Sequence, residues 1–202
     1  MSCSGRRGFF FGVALAVYSC CLMAAATDVP PVSDFPQSNA RSIQGGPFTL
    51  TSHVGATITE KSFAGDFLLV YFGYTYCPEV CPTDLAVMGQ AITLLGEAGD
   101  RVQPLFITFD PVRDTQERLA QYIEAFHPRL IGLTGTKEQT FAAADHYGVD
   151  VSATYKADTP GSAYSMNHSA FTYLVGPQGR LRVMFRDGTS AELMARTIRK
   201  KL

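Results

Sequence analysis

The chain has 202 residues, 46% of them apolar and 17% charged, with a net charge of −1. That balance is enough for one sizeable core and excludes a disordered or low-complexity chain. No basic stripe or Lys/Arg block is present, so a nucleic-acid partner has no support.

Residues 1–27 stand apart. Arg6-Arg7 precede an uncharged stretch, Gly8–Ala26, that ends in Ala24-Ala25-Ala26. A basic start, an apolar middle and a small-residue end describe an export signal. The same stretch is long enough to span a bilayer as one helix, so a cleaved signal and a retained N-terminal membrane anchor both remain open. Arg6-Arg7-Gly8-Phe9-Phe10 also resembles a twin-arginine signal, while Val17–Cys20 is a poor lipoprotein box because Tyr18 is bulky. Either way the remainder is expected to work outside the cytoplasm, on the periplasmic side of an inner membrane, anchored or soluble. Cys3, Cys20 and Cys21 fall in this segment, which leaves Cys77 and Cys81 as the thiols of the exported part. One pair in a domain of this size points to chemistry rather than to a disulfide scaffold.

Residues 28–45 hold Pro30-Pro31, Pro36 and several Ser and Asn residues, the composition of a linker. A domain is expected over 46–202. Phe48–Thr51 and Ala56–Thr59 alternate around His53-Val54-Gly55 and predict a hairpin. Phe67–Phe72 is a continuous apolar run, the pattern of a strand buried on both faces. It leads straight to Cys77-Pro78 and Cys81-Pro82, and Leu85, Met88, Ile92 and Leu95 then repeat at helical spacing. A residue before proline is pushed out of the α region, and Pro82 fits the first helical position. Cys81 is therefore the predicted N-cap, where unpaired amides favour thiolate over thiol.

Val102–Phe109 predicts a second buried strand. Asp114–Glu117 has the form of a capping box with Asp114 at the cap, opening a helix to about Phe126. Leu130–Leu133 predicts a short strand, and Thr136–Gln139 a second capping box whose helix stops at Gly148. Val149–Tyr155 is extended and Lys156–Met166 reads as a loop. His168–Val175 and Arg180–Arg186 form a hairpin around Gly176–Gly179. A closing helix covers about Ser190–Lys201, with Arg199, Lys200 and Lys201 solvated at its end. Strands joined by helices, then a hairpin, predict an α/β protein: a mixed central sheet flanked by helices in a thioredoxin-like arrangement. Sites in such sheets lie at the carboxyl ends of the strands, where Cys77 sits.

Two thiols four residues apart across one turn support three chemistries: disulfide exchange, soft-metal binding suited to Cu(I), or a structural disulfide. The last stabilises little, because so short a loop has little chain entropy to lose. Zinc is weakly supported, since closed zinc sites usually draw on two close ligand pairs. Of His53, His127, His146 and His168, the candidate is His168, which follows a loop able to bring it to a site or withdraw it.

Gly73-Tyr74-Thr75-Tyr76-Cys77-Pro78-Glu79-Val80-Cys81-Pro82-Thr83 resembles the signature of the Sco/SenC family. Thr108–Thr115, Leu133–Thr136 and Asn167–Ala170 resemble three further motifs in the expected order. The resemblance implies a thioredoxin-like domain, often tethered by an N-terminal helix, that binds copper and assists assembly of the binuclear copper centre of cytochrome c oxidase. It implies Cys77, Cys81 and His168 as metal ligands. It implies as partners the oxidase copper-centre subunit, a periplasmic copper donor and a thiol reductase that keeps the pair reduced. Asn167 and Val112 stand where acidic residues are frequent, and neither departure removes a ligand. The alternative is a thiol–disulfide oxidoreductase that uses Cys77 and Cys81 as a redox-active disulfide to keep oxidase-subunit cysteines reduced. A metallochaperone is favoured over a turnover enzyme.

Overall fold

The structure is a computed structural model that describes residues 45–155 and 164–202. The predicted export signal or anchor, nearly all of the predicted linker, and residues 156–163 of the predicted loop lie outside the described residues. In chain order the elements are β1 (Thr49–Ser52), β2 (Thr57–Thr59), β3 (Phe67–Gly73), α1 (Val80–Leu95), β4 (Val102–Thr108), α2 (Gln116–Ile123), β5 (Ile131–Thr134), α3 (Lys137–His146), β6 (Val151–Tyr155), β7 (Tyr164–His168), β8 (Phe171–Val175), β9 (Leu181–Arg186) and α4 (Ala191–Arg199). Among the described residues no helix is long and apolar enough to cross a membrane.

Seven strands make one mixed sheet in the order β2-β1-β5-β4-β3-β8-β9. The strand predicted from its apolar run, β3, lies inside the sheet between β4 and β8, and all seven of its residues are buried. A strand with no polar residue must be covered on both faces, and parallel pairing through helical crossovers provides that cover. β3 and β4 run parallel from Phe67↔Val102 to Gly73↔Thr108, and β5 continues parallel to β4. On the other side of β3, β8 and β9 add antiparallel strands.

Right-handed crossovers from β3 to β4 to β5 place α1 and α2 on the same face. There Gly89 of α1 lies so close to the segment after α2 that a Cβ would stand 2.9 Å from the Phe126 carbonyl oxygen. α4 joins this face, and Arg199 donates from Nη2 to the carbonyls of Leu94 and Leu95 at 3.0 and 3.4 Å. Arg199, expected to be merely solvated, instead satisfies carbonyls that α1 leaves open at its C-terminus. The opposite face carries Phe72, Tyr147 and Tyr173, whose rings meet at 5.1 to 6.1 Å.

Four expectations need correction. α1 begins at Val80 with Glu79 at the cap, so Cys81 is its second residue and Pro82 its third. Proline is tolerated there because the first four helical N–H groups have no intrahelical partner to lose. The cap of α2 is Thr115, whose side chain accepts from Arg118 N at 3.2 Å, and α2 ends at Ile123. Asp114 has been drawn inward instead. His168 does not open the strand that leads to Val175. It ends β7, which pairs with β6 in a separate two-stranded ribbon from Tyr155↔Tyr164 to Val151↔His168. The predicted loop is correspondingly shorter at its far end, because residues 164–166 belong to β7. The two capping threonine and serine helices, α3 with its Thr136–Gln139 box and α4 after Ser190, form as expected.

Candidate functional site

The carboxyl ends of β3, β4 and β5 each deliver a threonine hydroxyl toward Asp114. Its carboxylate accepts from Thr75 N at 3.0 Å, Thr75 Oγ1 at 2.6 Å and Thr108 Oγ1 at 2.6 Å. Its backbone carbonyl accepts from Thr134 Oγ1 at 3.1 Å. Arg118 Nε donates to Thr75 Oγ1 at 3.1 Å, and Arg113 pairs with Asp110. Burial pushes the Asp114 carboxyl above its usual range, while the hydrogen bonds from Thr108 and Thr75 hold it back. This network pins Thr75, two residues before Cys77. Sequence reading missed it, although threonines at or just past the ends of successive strands were a visible signal.

From Thr75 the chain turns into α1. Cys77 N donates to the Tyr74 carbonyl at 3.2 Å, and Cys81 N donates to Cys77 Sγ at 3.4 Å. The first sulfur thus sits in the positive field of the α1 N-terminus. Neither cysteine is in a disulfide; Cys77 is half-buried and Cys81 fully buried. The expected thiolate character at Cys81 is not found. Its contact with the Cys77 sulfur and its burial push the thiol far up, against the helix dipole. A sulfur removed from water keeps its proton until something compensates its charge. A soft cation does so by binding the thiolate; an external two-electron oxidant would instead remove both thiol protons by joining the pair as a disulfide.

Cys81 is seated by a glycine. A Cβ at Gly73 would meet Cys81 Sγ at 2.9 Å, Phe106 Cε2 at 2.9 Å and Tyr71 Cε1 at 3.0 Å. All three neighbours are fixed in the core, so Gly73→Ala is expected to destabilise the chain by about 1–3 kcal/mol, as overpacking does. Chemical denaturation of the reduced chain checks this, and a midpoint at or above the parent's would refute the tight seat.

The third predicted ligand lies on β7. Met166 N donates to Tyr74 Oη at 3.3 Å, so the strand that ends in His168 is tied to the residue three places before Cys77. The placement of the His168 imidazole lies outside the described residues. The other histidines are engaged away from this corner. His53 Nδ1 accepts from Gly132 N at 3.3 Å, and His127 Nδ1 accepts from Arg129 N at 3.1 Å. Burial and the Arg129 charge lower the His127 imidazole. His146 ends α3 against Gly46. Among the described residues, no group of three His, Cys, Asp or Glu side chains could hold a metal ion. At the surface of the corner, Tyr76 is 53% exposed with the guanidiniums of Arg113 and Arg118 at 4.7 and 5.1 Å from its ring centre. Such stacking holds an exposed ring in place.

Comparison with known proteins agrees with this architecture. The family model described as SCO1/SenC matches residues 36–202. Protein sco1 of Schizosaccharomyces pombe is 35% identical over 88% of this chain and 73% of its own length. Protein SenC of Rhodobacter capsulatus is 39% identical over 94% of this chain and 87% of its own. The mitochondrial SCO1 homolog of Homo sapiens is 40% identical, and the match spans 80% of this chain but 56% of that longer protein. Among solved structures, Arabidopsis thaliana ScoI with copper bound superposes with a TM-score of 0.72 at 35% identity, covering 78% of this chain and 96% of that one. Bradyrhizobium japonicum ScoI with copper bound gives 0.72 at 34% identity, covering 79% and 99%. The fold is that of a known group, and the chain belongs to the SCO1/SenC family.

Proposed function

We propose that the chain is a copper carrier whose cargo is held by Cys77 and Cys81 with His168 as third ligand, and passed to the copper-centre subunit of a cytochrome c oxidase. The observation that carries this reading is the pair of adjacent sulfurs at the start of α1, not joined by a disulfide, with Cys77 half-buried and Cys81 fully buried. Two thiolates are a soft donor set suited to Cu(I), and an added imidazole makes Cu(II) acceptable. Half-buried Cys77 gives an ion a way in, and the ribbon that ends in His168 is hydrogen-bonded to the same corner. The related ScoI structures that carry copper support the choice of metal. Loading requires the reduced pair, so the chain works beside a thiol reductase and a copper donor, on the periplasmic side of the inner membrane.

The test is anaerobic titration of the reduced chain with Cu(I) and, separately, Cu(II), read by metal content and visible spectrum. One copper per chain is expected, with an intense thiolate-to-copper band in the Cu(II) form. His168→Ala is expected to lose that band while retaining Cu(I) on the two sulfurs. A parent chain that takes up no copper yet reduces disulfides catalytically would replace this reading with the oxidoreductase one.

A further inference from the structure

Beneath the cysteine corner lies a hydroxyl that packing alone does not explain. Tyr71 is fully buried on β3, two residues before Gly73 and on the same face of the strand. The Cβ position of Gly73 touches both Cys81 Sγ and the Tyr71 ring edge, so sulfur and ring lie side by side in the core. Asp84, one turn along α1 from Cys81, is also buried. Burial first, and then the nearby Cys81 sulfur and Asp84 carboxylate, push the Tyr71 hydroxyl well above its ordinary range. Yet the hydroxyl closes no hydrogen bond of standard geometry. A phenylalanine would fill the same space without burying an unsatisfied O–H, which ordinarily destabilises a fold.

We propose that Tyr71 is a positioning residue for the metal-bound sulfur: its O–H donates to Cys81 Sγ once that sulfur carries negative charge, fixing its orientation and tuning the bound copper. The proposal rests on the copper reading given above. In the metal-free thiol form the sulfur is a weak acceptor and the hydroxyl gains little from it. As a thiolate it is a charged acceptor in a water-free pocket, where such bonds are strongest. Hydrogen bonds to ligand sulfurs set both ligand orientation and metal potential. The cost of the buried hydroxyl in the empty protein is offset in the loaded one.

Tyr71→Phe tests this, with Tyr173→Phe as control. The Tyr173 hydroxyl is likewise buried without a partner, but it sits on the opposite face beside Tyr147. Both variants are expected to fold, with denaturation midpoints at or above the parent's. Tyr71→Phe alone is expected to move the thiolate-to-copper band to longer wavelength, lower the copper reduction potential, and weaken Cu(I) binding by about tenfold. It is also expected to slow alkylation of Cys81 in the metal-free chain. Parent-like values for band, potential and alkylation in Tyr71→Phe would overturn the proposal, as would equal changes in Tyr173→Phe. Should the parent bind no copper, the carrier reading fails on that result, and the alkylation rates alone decide the Tyr71–Cys81 contact.

Discussion

A chain carrying Cys77→Ser and Cys81→Ser together is expected to leave anaerobic copper loading with no metal above background. Serine keeps the shape of cysteine but replaces a polarisable sulfur with a hard, neutral hydroxyl that does not ionise at neutral pH. The soft donor set that selects Cu(I) is then gone. The two sites differ in what else they lose. Cys81 is fully buried against Gly73 and the Phe106 and Tyr71 rings, so a hydroxyl there costs roughly 1–3 kcal/mol of stability as well. Cys77 is half-buried, and Cys77→Ser is expected to be nearly neutral for folding. Metal content after desalting, paired with circular dichroism to show a folded chain, reads both effects. Stoichiometric copper in a folded double variant would place the site elsewhere.

The largest effect on folding is expected at Asp114. Asp114→Ala removes an acceptor that serves Thr75 N, Thr75 Oγ1 and Thr108 Oγ1, and leaves those donors buried without a carboxylate. Hydrogen bonds to a charged group contribute about 1.5–3 kcal/mol each, and they are not additive within one network. A loss of about 3–5 kcal/mol is expected, which lowers Tm by roughly 10 °C for a domain of this size. Asp114→Asn keeps a carbonyl oxygen for one or two of the donors and is expected to lose less than half as much. Scanning calorimetry of the two variants separates the cases. Equal losses would mean that packing, rather than the network, carries the effect. Because the network fixes Thr75, Asp114→Ala is also expected to weaken copper binding without touching a ligand.

Periodicity located nearly everything that pattern controls. The apolar run Phe67–Phe72 became a fully buried interior strand because an unbroken apolar run has one stable environment, a sheet covered on both faces. Thr136-Lys137-Glu138-Gln139 capped its helix as expected, because a capping box is complete within four residues. Asp114-Thr115-Gln116-Glu117 looks equally complete yet resolved differently. There the carboxylate had better partners outside the four-residue box, in Thr75 just past β3 and Thr108 at the end of β4, and Thr115 took over the cap. The thiolate expectation at Cys81 failed for a related reason. Helix polarity is local and legible, whereas depth of burial is set by Gly73 and Phe106, which no spacing announces. The break at Ser169-Ala170 that separates His168 from β8 was hidden by an uninterrupted β-prone sequence.

The bonds from Arg199 to Leu94 and Leu95 fasten α1 at the end away from its sulfurs. A helix fastened at its far end and seated on buried strand β3 is expected to resist sliding and tilting. The compliant element at the corner is the β6–β7 ribbon, since two strands outside the main sheet are marginal by themselves. On the carrier reading, the two sulfurs thus stand at the firmly held element and the proposed third ligand on the more compliant one. In amide exchange, β3 and α1 should be the last to release their protons and β7 among the first, and occupation of the site by metal should slow β7 far more than α1.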